Sequence, residues 1–191
     1  MTKIDGILKL VYDRVSIHTD MDWIVVGSVA SKIQGCEDIQ PNGLDILLKQ
    51  SADVERIAQL FTDYLPETNP SPIFNKHWLS TTDAPTYSMN EGENKWSFLR
   101  LNIDGVIIEI ANTASDEYLE LSSKVWKMRR VEDYLGMSIP VAPLEVQLHS
   151  NYELAKPERI KVIREVIQLQ NRDVSFMENY LSESAYQQLT Q

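Results

Sequence analysis

A glycine-serine pair between a predicted strand and a predicted helix most constrains the fold of this chain. The run from Trp23 to Val26 is apolar, Gly27-Ser28 follows it directly, and apolar residues then recur at helical spacing as far as Gly35. This order predicts a strand, a tight turn and a helix. The free backbone N–H groups at the start of such a helix, a hydroxyl and the helix dipole together suit a phosphate ligand. Gly27 and Ser28 are therefore candidate phosphate-binding residues.

Two further predicted strands each contain one carboxylate. The apolar run at 44–48 contains Asp45, and the run at 106–110, which follows an Asp104-Gly105 turn, contains Glu109. Asp-Gly between two strand-like runs is typical of a β-hairpin. Carboxylates on adjacent strands that point to the same face would hold Mg²⁺ against a bound phosphate. Asp45 and Glu109 are thus candidate metal ligands and catalytic residues.

The sequence around these strands completes an α/β pattern. Apolar residues at helical spacing predict helices at 4–15 and 52–65. The segment 66–85 is rich in Pro, Ser, Thr and Asn, which predicts a loop. A helix-like stretch at 117–135 and a short strand at 137–141 follow.

Helical spacing alone marks the C-terminal part, with predicted helices at 144–154, 158–168 and 174–189. We therefore divide the chain into two parts. Residues 1–142 form a predicted α/β domain, and residues 143–191 form a predicted helical portion packed on it.

Composition excludes several classes of protein. The 191 residues include 28 acidic and 18 basic side chains, a formal net charge of −10, which argues against general nucleic-acid binding. No stretch approaches the roughly 18 consecutive apolar residues of a membrane span. The single cysteine, Cys36, excludes an internal disulfide, and the N-terminal sequence lacks the pattern of a signal peptide. We expect a reduced, cytoplasmic protein in which Cys36 is structural.

The segment GSVASKIQGCEDIQPNGLDILL resembles the signature of the nucleotidyltransferase superfamily, whose small members include the aminoglycoside and lincosamide nucleotidyltransferases. In that signature a strand leads to Gly-Gly or Gly-Ser, a short helix ends at Gly, and the next strand carries Asp-x-Asp. DGVIIEIA is similar to the later strand with the third carboxylate, here Glu109, and IPVAPLEVQLHSNYELAKPERIKVIREVI is similar to the helical segment beyond it. The likeness covers roughly residues 20 to 170. It implies an α/β (α+β) fold, a mixed sheet flanked by helices with a C-terminal helical portion.

The resemblance also implies a reaction, the magnesium-dependent transfer of a nucleoside monophosphate from a triphosphate to a hydroxyl of a small molecule or protein. Gly27 and Ser28 would hold the nucleotide phosphates, Asp45 the metal, and Glu109 the metal or the acceptor proton. Lys156 and Arg159 belong to a local basic cluster. They would either neutralise triphosphate charge or form part of a solvated helix face.

One position departs from the signature. If Asp45 matches the second aspartate of Asp-x-Asp, the first falls on Gly43, and if Asp45 matches the first, the second falls on Leu47. A two-metal site would then lack a bridging ligand, unless Glu37 or Asp38 replaces it. The sequence leaves open a one-metal or substrate-assisted enzyme and a non-catalytic homologue that binds a nucleotide, another small ligand or a partner protein. A toxin–antitoxin-like pair is an expectation from the resemblance alone, and the sequence also leaves open a homo-oligomer.

Overall fold

The computed structural model describes residues 2–91, 94–112, 125–179 and 182–190. Within these ranges seven strands form a single sheet. The strands are β1 (Trp23–Val26), β2 (Gly43–Leu48), β3 (Tyr87–Glu91), β4 (Asn94–Ile103), β5 (Val106–Asn112), β6 (Arg130–Tyr134) and β7 (Met137–Val141).

The described ranges contain six helices of seven residues or more, α1 to α6, and two short 3-10 helices. They are α1 (Lys3–Val15), α2 (Gly27–Ile33), α3 (Ser51–Leu60), α4 (Leu144–Glu153), α5 (Pro157–Leu169) and α6 (Glu183–Thr190), with 3-10 helices at Thr62–Tyr64 and Ser175–Asn179. A further helical turn spans 125–128. In the described part of the chain, no helix is long and apolar enough to span a membrane.

The sheet has the order β3-β4-β5-β2-β1-β7-β6 and is mixed. β1 pairs antiparallel with β2 and parallel with β7, while β2 pairs parallel with β5. The outer pairs β3–β4, β4–β5 and β6–β7 are antiparallel. The predicted mixed sheet flanked by helices is confirmed.

Alternation along the strands gives the sheet two different faces. On β2, Leu44, Ile46 and Leu48 are buried in the main core with α1 and α3, together with alternate residues of β4 and β5. Gly43, Asp45 and Leu47 therefore lie on the opposite face, because successive side chains of a strand point to opposite sides. Helices α1 and α3 cover one face, and the predicted site residues occupy the other, where Val146 of α4 packs near Ile24 and Leu47.

Two tight turns set the register of the hairpins. Asp104 and Gly105 have φ values of 53° and 80°, as expected for the Asp-Gly hairpin between β4 and β5. Leu135 and Gly136 have similar values, 53° and 77°, and join β6 to β7. The prediction of a helix at 117–135 is therefore wrong over β6. In the turn after β6, Leu135 occupies a position that usually favours Asn, Asp or Gly. Residues 113–124 lie outside the described ranges.

The C-terminal helices form a second apolar cluster with residues of the α/β part. Leu144, Leu148, Ile163 and Ile167 pack with Cys36 and other buried residues. Burial raises the pKa of the Cys36 thiol to about 11, which supports a structural role. The helix predicted at 174–189 is divided into a 3-10 helix and α6, and residues 180–181 lie outside the described ranges.

A buried carboxylate links these helices to the edge of the sheet. Glu145 at the start of α4 is fully buried, and its two carboxylate oxygens lie 3.5 Å from Nη2 of Arg130 and Nη1 of Arg172. Only 5% of the Arg172 side chain is exposed, and Arg172 also donates to Oε1 of Gln34 at 3.1 Å. Burial lowers the pKa of Arg172, and the charge of Glu145 opposes this shift. Glu145 thus joins β6, α2 and the segment after α5.

We expect Glu145→Ala to lower the free energy of unfolding by about 3 kcal/mol, because it leaves the buried Arg172 charge without its partner. Urea denaturation followed by circular dichroism measures this change. Asp13→Ala, which removes an exposed ion pair with Lys9 within α1, is the control and should cost less than about 0.5 kcal/mol. Equal effects of the two substitutions would contradict the assigned role of Glu145.

Candidate functional site

Asp45 and Glu109 lie side by side near the centre of the sheet. The parallel ladder between β2 and β5 pairs Asp45 directly with Glu109. The burial pattern places both residues on the face opposite α1 and α3. The structure therefore brings together the two carboxylates that the sequence singled out.

The Gly27 turn closes over the carboxylate of Asp45. Val26, the last residue of β1, pairs with Asp45, and Gly27 then turns the chain into α2 with a φ of +65°. A Cβ atom at Gly27 would lie 2.6 Å from Oδ2 of Asp45. Glycine is thus required twice, for the left-handed backbone and for the close approach of the carboxylate.

The site perturbs the pKa of Asp45. Its pKa is raised to about 6, first by burial and then by the negative charge of Glu109, while Arg159 opposes the shift. A partly buried carboxylate beside a second one favours a proton or a cation in its neighbourhood. The site is therefore poised to bind positive charge.

Arg100 on β4 is a member of the site that the sequence analysis did not identify. Its Nε atom donates to Oε1 of Glu109 at 2.7 Å, and its Nη2 atom lies 2.6 Å from the same oxygen in an ion pair. Its Nη1 atom donates to the carbonyl oxygens of Asn75 and Trp78 at 2.7 and 3.3 Å, so the loop at 66–85 packs against this side of the site. The guanidinium also lies 5.0 Å from the ring centroid of Phe98.

The hairpin turn contained the signal that would have found Arg100. A two-residue turn at Asp104-Gly105 pairs Ile103 with Val106, and three steps further along the ladder it pairs Arg100 with Glu109. Residues directly opposite each other on antiparallel strands have neighbouring side chains. The correct prediction of the turn therefore already implied an ion pair.

The predicted phosphate-binding residues differ in how far they are buried. Ser28 is buried in the first turn of α2, directly after Gly27. Arg159 is half-buried on α5, and its positive charge acts on Asp45. Lys156 is the residue immediately before α5, and it is exposed. Arg159 also lines a groove of about 370 Å³ between α5 and the loop at 38–40.

Asn151 on α4 is a second residue that the sequence analysis missed. Gln34 donates to the carbonyl oxygen of Ala142, and Ser31 donates to Gln147, so α2 and α4 run antiparallel. One turn beyond Gln147, Asn151 comes level with the start of α2. Asn151 is buried, and its Oδ1 atom has no hydrogen-bond partner among the described residues. A ligand at the α2 turn would supply a donor for this oxygen.

Gly43 lies on the same face as Asp45, two residues before it. A Cβ atom there would lie 3.0 Å from the carbonyl oxygen of Ile107 on the neighbouring strand. The tight β2–β5 packing therefore opposes any larger residue at this position. Asp38, which the sequence offered as a replacement ligand, is exposed and lines the groove beside α5.

The donor set fits one Mg²⁺ ion. Asp45 and the second oxygen of Glu109 provide hard carboxylate ligands, and Mg²⁺ usually binds through one or two carboxylates plus substrate phosphates. Within the described ranges, no three His, Cys, Asp or Glu side chains are grouped to hold a metal.

Comparison with solved structures identifies the fold. A candidate nucleotidyltransferase from Thermotoga maritima superimposes with a TM-score of 0.56 at 20% sequence identity, covering 90% of this chain and 97% of that one. This chain has a nucleotidyltransferase-like fold. An antigenic nucleotidyltransferase-like protein from Paracoccidioides brasiliensis gives a TM-score of 0.48 at 11% identity, over 86% of this chain and 75% of that one. No protein-family model and no curated protein sequence matches the chain.

The nucleotidyltransferase-like fold agrees with the resemblance seen in the sequence. At this level of identity the structural likeness concerns the fold alone. The roles of Gly27, Ser28, Asp45, Glu109 and the basic residues of α5 in ligand binding stay predictions.

We expect Asp45→Asn to stabilise the protein in a pH-dependent manner. The pKa of Asp45 rises from an ordinary 3.8 to about 6 on folding, so the folded state binds a proton more tightly and loses stability as the pH rises through this window. Each tenfold change in proton affinity corresponds to about 1.4 kcal/mol, so Asn should gain about 3 kcal/mol at pH 7.5 and almost nothing at pH 3.5. Urea denaturation at both pH values measures the difference. A gain that is the same at both would contradict the cost assigned to the ionised carboxylate.

We expect Gly27→Ala to destabilise the protein by about 2 kcal/mol, because alanine is disfavoured at positive φ and its Cβ displaces Asp45. Gly6→Ala in α1 is the matched control, since nothing lies within 4 Å of its Cβ, and it should be neutral or stabilising by up to about 1 kcal/mol. Denaturation of the variants, including the double variant with Asp45→Ala, measures the coupling. Strictly additive effects would show that the Gly27 turn and Asp45 are energetically independent.

Proposed function

We propose that this protein binds a nucleoside triphosphate together with one Mg²⁺ at the Asp45–Glu109 pair. The observation that carries the proposal is the position of Asp45, partly buried beside Glu109 and directly beneath the Gly27 turn. A partly buried carboxylate with a raised pKa next to a second carboxylate is stabilised by a bound cation. In the proposed complex Mg²⁺ neutralises the two carboxylates and the phosphates of the nucleotide.

The residues around the pair support a phosphate ligand. The backbone N–H groups at the start of α2 and the hydroxyl of Ser28 would contact the phosphates. Arg159 lies close enough to Asp45 to affect its pKa, so it would add positive charge on the other side of the phosphates. The unpartnered Oδ1 atom of Asn151 would accept from a hydroxyl or amino group of the same nucleotide.

A second candidate function is transfer of the nucleoside monophosphate to a hydroxyl of a small molecule or protein. It is favoured by Glu109, a carboxylate placed next to the metal ligand Asp45, where an acceptor hydroxyl would need a base. Two features weigh against it. Arg100 already engages Glu109, and Gly43 supplies no third ligand. Binding is therefore our first proposal, and a role as a partner-binding module stays a prediction.

Calorimetric titration with ATP, GTP, CTP and UTP, with and without Mg²⁺, tests the proposal. We expect Mg²⁺-dependent binding of at least one nucleotide, and a loss of at least about tenfold in affinity for Asp45→Asn, because a metal ligand is removed. Asp53→Asn is the matched control, since Asp53 lies on α3, which packs on the other face of the sheet. Binding that is equally strong without Mg²⁺, or no binding, would contradict the proposal.

Transfer is tested separately with an α-labelled form of any nucleotide that binds. We expect no stable labelled product from the wild type with simple polyols or aminoglycosides. We expect the same result for Gly43→Asp, because the crowding by Ile107 opposes a working ligand geometry. Label incorporated by the wild type and lost in Asp45→Asn would establish the second candidate function instead.

A further inference from the structure

We propose that Arg100 is a built-in cation that occupies Glu109 and limits the site to a single divalent ion. The inference rests on the proposed function, because it concerns the cation site formed by Asp45 and Glu109. It assigns to Arg100 a positioning role: the guanidinium fixes one oxygen of Glu109 and supplies a positive charge where the sheet brings two negative charges together.

The geometry of the ion pair is that of a fixed element of the site. Arg100 and Glu109 are directly opposite on antiparallel β4 and β5, so the pairing follows from the strand register. Nε of Arg100 donates to Oε1 of Glu109 at 2.7 Å, and Nη2 lies 2.6 Å from the same oxygen. Charge-assisted bonds of this length are among the stronger hydrogen bonds in proteins.

Further contacts hold the guanidinium in place from the side of the loop. Its third nitrogen donates to the carbonyl oxygens of Asn75 and Trp78, and its plane lies near Phe98. Phe98 packs against Phe74, Trp78 and Trp96. Only 13% of the Arg100 side chain is exposed, compared with 38% for Glu109. Arg100 is therefore anchored on three sides, and a metal ion cannot displace it without disrupting the loop.

The charges of the pair explain why one divalent ion is the limit. Asp45 and Glu109 together contribute two negative charges, and Arg100 cancels one of them before any metal binds. Gly43 adds no ligand on the same face. A second divalent ion would face one remaining negative charge, already shared with the first ion, and the repulsion between the two ions would be uncompensated.

Titration of the protein with Mn²⁺ alone, followed by electron paramagnetic resonance of the free ion, tests the inference. We expect one Mn²⁺ per wild-type chain. Arg100→Gln removes the charge, so Mn²⁺ should bind about tenfold more tightly, the order expected for one unit charge within a few ångströms of a divalent ion. Arg100→Lys keeps the positive charge, so its affinity for Mn²⁺ should stay within about twofold of that of the wild type. A merely structural role would weaken Mn²⁺ binding in both variants.

The outcomes separate this inference from the proposed function. If Asp45→Asn binds Mn²⁺ as well as the wild type does, the cation site itself is wrong. If binding depends on Asp45 but Arg100→Gln leaves the affinity unchanged or lower, only the role of Arg100 is overturned. Should Arg100→Gln fail to fold, the stoichiometry of the wild type decides, because two Mn²⁺ ions per chain would overturn the limit. In the double variant Arg100→Gln/Glu109→Gln the expected gain should disappear.

Discussion

The parallel pairing of β2 with β5 is the constraint on which the site depends. It sets Asp45 beside Glu109 on the face of the sheet away from α1 and α3, where neither charge is fully solvated. Two neighbouring carboxylates repel each other, and two features of the fold accommodate them. Arg100 engages Glu109, and the Gly27 turn leaves room for the carboxylate of Asp45. The pKa of Asp45 nevertheless stays raised by burial and by the charge of Glu109. A bound cation would relieve this repulsion.

The C-terminal helices are joined to the sheet through polar as well as apolar contacts. Glu145 lies buried between Arg130 of β6 and Arg172, which follows α5, while Gln34 at the end of α2 accepts from Arg172. A buried charge is tolerated only with partners, so these groups specify how the helices dock. The same docking brings Arg159 towards Asp45. The stability of the helical portion and the electrostatics of the site are therefore linked.

Much of the fold and half of the site were readable from the sequence, for particular physical reasons. Leu44, Ile46 and Leu48 alternate as a half-buried strand must, and the Asp104-Gly105 turn fixed a hairpin whose register was then determined. The strand β6 was missed because its turn contains Leu135, a residue without a preference for positive φ. Arg100 was missed because a single arginine in a strand is unremarkable until its partner across the ladder is identified.

The sequence by itself determined the alternation of the strands, the position of the Gly27 turn and the departure at Gly43, because these depend on residue type and local spacing. Only the tertiary structure decided which charges from distant parts of the chain meet. The β2–β5 pairing, the approach of Arg159 and the burial of Glu145 join residues far apart in the chain. Their pKa values and partners follow from that assembly, since burial and distance between charges are properties of the folded chain.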